Sequence, residues 1–277
     1  MQDILSRIVK ANEANGKICE GDFYDENGRL FCGKCKEPKQ TSRLIPIGRT
    51  PRRMFIPCRC ELEEEERYRR RIEAQNMQDK IKALRRSGVM DAAYNSYTFE
   101  NDDGRNPKIT ASCRRYADHW QEMSDLACGV LFYGGVGGGK SFYAGCIANA
   151  LIEQGVPALM TRLSYLVNNR VKADEPIRLS DYRLIVLDDI GTENISQTAF
   201  DVVNDIYLAK IPVICTTNLT LSELKSSGSI EKQRIYDRLL ERCAKKCLVP
   251  VTRSRVDVSR ELDMKAAQIL ANKPPLR

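Results

Sequence analysis

The amino-acid sequence predicts an α/β fold in which helices flank a parallel β-sheet. Two observations lead to this prediction: five apolar segments have strand-like length, and stretches with helical periodicity separate them. Such alternation is typical of parallel sheets whose crossover connections are helices. The five strand candidates are residues Gly129 to Tyr133, Pro157 to Arg162, Arg183 to Asp188, Ile211 to Thr217 and Cys247 to Thr252.

The segment after the first strand candidate fills a phosphate-loop pattern. Residues 134–141 read GGVGGGKS, which matches G-x-x-x-x-G-K-[ST] at every fixed position. In this pattern glycine backbone N–H groups surround phosphates, Lys140 adds a positive charge, and the Ser141 hydroxyl ligates Mg²⁺ at a helix start. The alternative is a flexible glycine-rich turn, but the strand before and the amphipathic stretch after favour a nucleotide site. The candidate nucleotide-binding residues are Gly134, Gly135, Val136, Gly137, Gly138, Gly139, Lys140, Ser141 and Phe142.

Polar side chains follow the third and fourth strand candidates. Asp188 and Asp189 end the run LIVLDD, and Asn218 follows ICTT. An open α/β sheet binds ligands at the carboxyl ends of its strands, so Asp188 is a candidate Mg²⁺ ligand and Asp189 a candidate for polarising the attacking water. Asn218 is a candidate for contacting that water or the γ-phosphate. The alternatives are a helix cap for the two aspartates and a turn residue for the asparagine.

Composition limits the class of protein. The 277 residues allow one large domain and a smaller module, and a formal charge of +7 favours a polyanionic partner only weakly. The first residues lack the pattern of a signal sequence, and no apolar run has the length of a membrane span. The 11 cysteines, several of them in apolar segments, are unlike a secreted disulfide scaffold. We therefore expect a cytoplasmic protein with reduced thiols.

Two close-set cysteine pairs predict a structural zinc site. Cys32 and Cys35 form a C-x-x-C pair, Cys58 and Cys60 a tighter C-x-C pair, and residues 36–57 separate the two. Four thiolates satisfy tetrahedral Zn²⁺ and leave no open position for a substrate. The alternatives are unrelated thiols, a redox pair of Cys32 and Cys35, or Cys19 in place of one ligand.

The sequence suggests three regions. Residues 1–60 form a zinc-binding module, residues 61–89 form a charged connector helix, and residues 90–277 form the nucleotide-binding domain. In the connector, glutamates precede arginines by four residues, which is the favourable order for pairing on a helix. In the third region, Arg162, Arg170, Lys172 and Tyr165 form a candidate DNA surface, against the alternative of a solvated one.

Residues 90–256 resemble the AAA+ ATPases of the helicase-loader group, DnaC and DnaI, and the related IstB ATPases. The resemblance rests on FYGGVGGGKSF, LIVLDDIGTE, ICTTNLTLSEL and RIYDRLLERC in this order. It implies a P-loop AAA+ fold with a five-stranded parallel sheet, and the zinc-bearing front is similar to loaders carried by phages and mobile elements. It also implies that Lys140 and Ser141 are the Walker A pair, Asp188 and Asp189 the Walker B pair, and Asn218 the sensor 1 residue.

The resemblance further implies two arginines that act on the γ-phosphate. Arg238 matches the finger that reaches into a neighbouring subunit, with Arg234 as support. Arg253 matches the sensor 2 arginine, with Arg255 as the alternative. Two positions depart from the family: Gly138 replaces Thr or Ser, and Asp189 replaces Glu, which predicts slow hydrolysis. Since few residues follow position 256, we expect the helical lid domain to be absent or vestigial.

The function implied by the resemblance is ATP-dependent loading of a replicative hexameric helicase onto single-stranded DNA, with ATP, Mg²⁺ and structural Zn²⁺ as cofactors. Self-association into an ATP-dependent ring or spiral, and slow hydrolysis stimulated by a partner, belong to the same expectation. One alternative is an IstB-like transposition-targeting ATPase that binds duplex DNA. The other is a nucleic-acid-binding module whose nucleotide site does not hydrolyse.

Overall fold

The computed structural model describes residues 18–47, 50–191, 196–226 and 229–251. The chain divides into two compact units, one ending at Gln78 and the other beginning at Asp79. Within the described ranges, no helix is both long and apolar enough to cross a lipid bilayer. Arg253, Arg255 and the region expected to hold a vestigial lid lie outside the described residues.

The first unit contains two short antiparallel hairpins. Strand β1 (Phe23–Tyr24) pairs with β2 (Leu30–Phe31), and β3 (Ile45–Ile47) pairs with β4 (Thr50–Arg52). Gly28, in the turn between β1 and β2, has a φ of 67°, a left-handed conformation that favours glycine. Strands of two or three residues bury little apolar surface, so this unit needs other sources of stability.

A single helix, α1 (Arg59–Gly88), follows the hairpins. The charged stretch is therefore helical as predicted, and the helix begins at Arg59, between the second pair of cysteines. Glu66 and Arg70 form an exposed ion pair four residues apart. Near the end of the helix, Ile81 is buried and Leu84 packs beside it in the apolar core of the second unit.

The second unit is built on a five-stranded parallel sheet. Its strands are β5 (Gly129–Tyr133), β6 (Ala158–Thr161), β7 (Leu184–Ile190), β8 (Val213–Thr217) and β9 (Cys243–Pro250). The order across the sheet is β6-β7-β8-β5-β9, and each neighbouring pair is parallel. The predicted α/β class and five-stranded parallel sheet are confirmed.

The last strand begins earlier than the sequence suggested. Cys243 already pairs with Gly129, and a register shift then brings Leu248 opposite Leu131. The prediction that the strand starts at Cys247 was wrong because residues 243–247 contain two lysines and little apolar periodicity. Pairing with β5, not local hydrophobicity, makes this segment a strand.

Helices cover both faces of the sheet and enclose two apolar clusters. The most buried of them, α4 (Lys140–Glu153), places Ile147, Leu151 and Ile152 fully inside the core. Burial of each such side chain contributes roughly 1.5–3 kcal/mol to the stability of the fold. This packing holds α4, and with it the first helical residue Lys140, against the sheet. The other helices are α2 (Pro107–Asp118), α3 (Trp120–Asp125), α5 (Leu163–Lys172), α6 (Gln197–Leu208), α7 (Leu221–Lys225) and α8 (Ile230–Glu241). Short 3₁₀ turns occur at Ala92–Ser96, Phe99–Asn101 and Leu179–Asp181.

The order of the strands creates a crevice at the carboxyl end of β5. After β5 the chain crosses over β8 and β7 to reach β6 at one edge of the sheet. The last strand, β9, lies on the opposite side of β5. Open α/β sheets bind ligands at such a switch point. The phosphate loop, which follows β5 directly, therefore lies in the position where this fold class places its ligand.

Candidate functional site

The phosphate loop connects β5 to α4, as its sequence predicts. Gly139 precedes the first helical residue with a φ of 88°, and Gly134 has a φ of 121°. Lys140 is buried, and its Nζ donates hydrogen bonds to the carbonyls of Gly134 at 2.9 Å and Gly135 at 2.8 Å. Burial lowers the pKa of Lys140, while the charges of Asp189 and Asp188 act in the opposite direction. The lysine therefore lies inside the loop and on the side of the two aspartates.

The structure explains why position 138 is a glycine. A Cβ atom placed on Gly138 would lie 2.9 Å from both the Cγ1 and the carbonyl oxygen of Val251, the residue after β9. The backbone N–H of Val251 donates to the carbonyl of Tyr133 at 2.8 Å, which holds this segment against the loop. A threonine or serine at position 138 would require the β9 end to move.

Asp188 and Asp189, the predicted Walker B aspartates, lie on a bulge near the end of β7. The pairing of β7 with β8 shifts register between Leu187 and Ile190, so residues 188 and 189 depart from the regular ladder. Asp189 has a φ of 61°, a left-handed conformation that is uncommon for residues other than glycine. Bulges and strained residues of this kind occur next to active sites, where they change the direction of a side chain.

A hydrogen-bond network holds both carboxylates. Asp188 accepts a bond at Oδ1 from the Thr216 hydroxyl at 2.6 Å and one at Oδ2 from the Tyr94 hydroxyl at 2.9 Å. The Thr216 oxygen also accepts from the backbone N–H of Asp189 at 2.8 Å. The Asn218 side-chain amide donates to Oδ1 of Asp189 at 3.1 Å. The structure thus brings the predicted acids and the predicted amide together at one edge of the sheet.

An open cleft of about 510 Å³ joins the phosphate loop to this network. Residues of the loop form one wall, and the ends of β7 and β8 form the other. Ser141 and Asp188 face the same cleft, and oxygen ligands of these two kinds are what Mg²⁺ prefers. The residues present therefore fit a nucleotide with its metal ion. The lining comprises Asp91, Ala93, Tyr94, Tyr97, Val136, Gly137, Gly139, Lys140, Ser141, Phe142, Arg162, Asp188, Asp189, Thr216 and Asn218.

The four predicted zinc ligands converge in the first unit. The Sγ atoms of Cys32, Cys35, Cys58 and Cys60 all lie within 4.8 Å of one another. Sulfurs bound tetrahedrally to zinc are roughly 3.8 Å apart, since each Zn–S bond is about 2.3 Å, so a small contraction suffices. The backbone N–H of Glu37 and that of Cys60 lower the pKa of Cys35 to about 6 against the effect of burial. The cysteines fit a structural zinc ion.

A family model describes most of this chain. The model of the IstB-like ATP binding protein matches residues 56–255. The chain belongs to the IstB-like ATP binding protein family. No curated protein sequence matches it.

Solved structures similar to this IstB-like chain come from DNA replication proteins. The DnaC helicase loader is 17% identical with a TM-score of 0.47, covering 58% of this chain and 100% of its own. DnaI is 20% identical with a TM-score of 0.47, covering 60% and 93%. A putative primosome component from Streptococcus pyogenes serotype M3 is 16% identical with a TM-score of 0.48, covering 60% and 92%.

The predicted finger arginine of the IstB-like domain lies in a ladder of cationic and aromatic side chains. Arg238, on α8, stacks over the rings of Phe200 at 5.1 Å and Tyr207 at 5.0 Å, both on α6. Arg234 stacks over Phe200 at 4.2 Å, and Arg242 over Tyr207 at 4.4 Å. Arg238 is half-buried and Arg234 is exposed, whereas Ile235 and Leu239 are buried as predicted. Cation–π contacts of this kind fix long side chains that would otherwise be mobile.

A buried lysine links the two halves of the cysteine cluster. Lys39 is 3% exposed and pairs with Asp22 and with Glu61, each at 2.8 Å. Asp22 accepts from the backbone N–H of Gly33, in the first cysteine pair, and Glu61 accepts from that of Cys58. Although burial opposes its charge, these contacts raise the pKa of Lys39. Despite its own burial, hydrogen bonds from Lys39 and from the N–H groups of Cys19 and Gly33 lower the pKa of Asp22 to about 2.

Sequence reasoning missed six residues of the cleft lining, which are Asp91, Ala93, Tyr94, Tyr97, Arg162 and Thr216. Thr216 lies two positions before Asn218 on β8, and the period of a strand could have placed both on one face. Tyr94 has no such signal, since it contacts a strand far away in the sequence. Arg162, expected on a DNA surface, lines the nucleotide cleft, and its hydrogen bond with Tyr94 raises its pKa. Arg170, from the same predicted surface, pairs with Asp205 at 2.7 Å.

Proposed function

We propose that this chain is an ATP-dependent loader of a replicative DNA helicase. The observation that carries the nucleotide part is the convergence of Lys140, Ser141, Asp188, Asp189 and Asn218 on one cleft. Membership of the IstB-like family supports ATP as the nucleotide. The loader assignment rests on the ordered motifs shared with the DnaC and DnaI group.

The geometry of the cleft supports binding followed by slow hydrolysis. The backbone N–H groups of the loop and the Lys140 ammonium hold the phosphates. To reach them, the ammonium exchanges its hydrogen bonds to the carbonyls of Gly134 and Gly135 for bonds to phosphate oxygens. Asp189 polarises the attacking water, and Asn218 fixes the acid and contacts the γ-phosphate. Mg²⁺ held by Ser141 and Asp188 supplies neutralisation of the phosphate charge.

Slow turnover suits a switch. Asp189 carries a shorter side chain than the glutamate usual in AAA+ proteins, so water is held farther from the acid. ATP binding assembles a ring or spiral in which Arg238 completes the site of the adjacent copy. Hydrolysis, stimulated by a partner, then releases the helicase onto single-stranded DNA.

The first unit is proposed to bind the helicase. Its described residues, 18–47 and 50–78, belong to neither large apolar cluster, and its cysteine cluster would give it a fixed shape once zinc is bound. A small rigid module of this kind suits a protein–protein contact more than chemistry, because four thiolates leave no open coordination position.

Co-purification with the replicative hexameric helicase of the host tests the loader proposal. The full chain is the bait, with and without a non-hydrolysable ATP analogue, and Lys140→Ala is the matched control. We expect recovery of the helicase with the wild type and a weaker dependence on the analogue with the variant. Recovery of a transposase, with no helicase, would favour the transposition-targeting alternative.

ATP turnover tests the alternative of a nucleotide site without hydrolysis. The rates of wild type, Asp189→Asn and Arg238→Ala are compared in the presence of single-stranded DNA and helicase. A higher rate in the wild type supports the ATPase. Equal and negligible rates in all three would favour a nucleic-acid-binding module with a structural nucleotide clamp.

A further inference from the structure

Tyr94 occupies a position that the nucleotide motifs do not explain. It lies in the 3₁₀ turn Ala92–Ser96 and is 5% exposed, yet its hydroxyl reaches Oδ2 of Asp188 at 2.9 Å. In this hydrogen bond the tyrosine hydroxyl is the donor and the carboxylate oxygen the acceptor.

The 3₁₀ turn that carries Tyr94 is held by α4, the helix that follows the phosphate loop. Asn149, on α4, is 3% exposed and donates from Nδ2 to the carbonyl of Tyr94 at 2.8 Å and to that of Tyr97 at 2.9 Å. The side chain of Asp91 caps the turn by accepting from the N–H of Ala93 at 2.9 Å. The turn is thus tied to α4, so Tyr94 bridges this helix and β7.

The bridge determines how the carboxylate of Asp188 is oriented. Asp188 is 6% exposed, and hydrogen bonds from Thr216 and Tyr94 hold its two oxygens separately. A carboxylate oxygen has two lone-pair sites, so an oxygen held by one donor retains a site for a metal ion. A buried carboxylate without such donors would be free to rotate, and burying a charge that lacks hydrogen bonds is costly.

We infer that Tyr94 is a positioning residue for the metal-binding carboxylate, and that its hydroxyl sets the affinity of the cleft for Mg²⁺ when nucleotide is bound. This inference rests on the proposed nucleotide function, because it assigns Asp188 to the metal. Donors behind a ligating carboxylate orient it, and their removal typically lowers metal affinity about 10-fold to 100-fold.

The test is Tyr94→Phe in the full chain, with a fluorescent ATP analogue as the probe. Affinity is measured first in a buffer freed of divalent cations over a chelating resin before the zinc-loaded protein is added, and then against rising Mg²⁺ concentration. We expect the affinity without Mg²⁺ to match the wild type, and the Mg²⁺ concentration for half-maximal enhancement to rise about 10-fold. Phenylalanine keeps the buried ring, and thermal melting without Mg²⁺ checks that the variant is folded.

Tyr182→Phe is the matched control. Tyr182 does not line the cleft, and its hydroxyl donates to the carbonyl of Ser87 at 3.0 Å, so the substitution removes one tyrosine hydrogen bond away from the site. We expect its Mg²⁺ dependence to equal that of the wild type. In an Asp188→Asn background, Tyr94→Phe should cause no further change, since the carboxylate that the hydroxyl orients is gone.

The possible outcomes distinguish a failure of the inference about Tyr94 from a failure of the proposed nucleotide function. A wild-type chain that fails to bind the analogue, or whose binding ignores Mg²⁺, contradicts the proposed function before any variant is measured. A wild type with Mg²⁺-dependent binding and a Tyr94→Phe variant identical to it overturns the inference alone. Equal weakening with and without Mg²⁺ also overturns it, because a purely structural role would act in both conditions.

Discussion

Asn218 and Asp189 are joined by a hydrogen bond of 3.1 Å between the side-chain amide and a carboxylate oxygen. Asp189 lies on the bulge of β7, and Asn218 directly follows the neighbouring strand β8. The amide that is proposed to contact the γ-phosphate therefore also holds the acid that is proposed to polarise the water. Loss of either side chain should affect the same step.

Replacement of Asp189 by Asn should abolish most turnover but leave binding intact. A group that moves a proton in the transition state contributes about 10²-fold to 10⁴-fold, so we expect kcat to fall at least 100-fold. KM for ATP should remain within about twofold, because Lys140 and the loop are unchanged. Steady-state kinetics check this, with Asp201→Asn as control, at a half-buried side chain of α6 that does not line the cleft. A kcat near that of the wild type would remove Asp189 from the chemistry.

Arg238→Ala should lower turnover in a way that another subunit can restore. If the guanidinium acts across an interface, the loss is on the order of 10³-fold. Mixing Arg238→Ala with Asp189→Asn in equal amounts should then recover activity, since an intact acid of one subunit meets an intact arginine of the next. Arg178→Ala, at a side chain 80% exposed, is the control and should turn over normally. Mixtures no faster than the separate variants would contradict a trans-acting finger.

The cysteine cluster should hold one zinc ion per chain. We expect Cys58→Ser and Cys60→Ser to lose the metal, as measured by elemental analysis of the purified protein, because three thiolates bind zinc more weakly than four. Cys19→Ser is the matched control and should retain it, since the four clustered sulfurs are those of Cys32, Cys35, Cys58 and Cys60. Zinc loss from Cys19→Ser would show that this residue is a ligand.

Lys39→Met should destabilise the first unit strongly. The lysine is 3% exposed and lies between Asp22 and Glu61, so its removal leaves a buried carboxylate without a cation. Breaking a buried pair from one side costs about 3–5 kcal/mol. Denaturant unfolding of the zinc-loaded protein measures the change. Lys36→Met, at an exposed lysine that stacks on Phe23, should change the free energy of unfolding by less than about 0.5 kcal/mol.

Several features of the fold and site follow from short stretches of sequence. The strands β5, β6, β7 and β8 are continuous apolar runs, as expected for strands buried on both faces. The phosphate loop and the acids after β7 are local motifs, so consecutive residues suffice to predict them. The cysteine pairs predict their own cluster because four thiols in two close-set pairs have few other uses in a reduced protein.

Other features depend on segments that are distant along the chain. The start of β9 at Cys243 depends on pairing with β5, and its own residues carry little strand signal. Gly138 is required by Val251, which follows the neighbouring strand β9 and is more than 100 positions away in the sequence. Arg162 lines the nucleotide cleft although its sequence context suggested a DNA surface.

The sequence by itself determined the class of fold, the nucleotide motifs and which four cysteines cluster. Apolar periodicity, the spacing of glycines and close-set cysteine pairs all involve residues that are near each other in the sequence. Local sequence patterns therefore suffice to predict them. Only the tertiary structure decided that Tyr94 donates to Asp188, that Asn218 holds Asp189, and that Lys39 joins the two cysteine pairs. These contacts join residues separated by 17 to 94 positions, and only the packing of the whole chain brings such residues together.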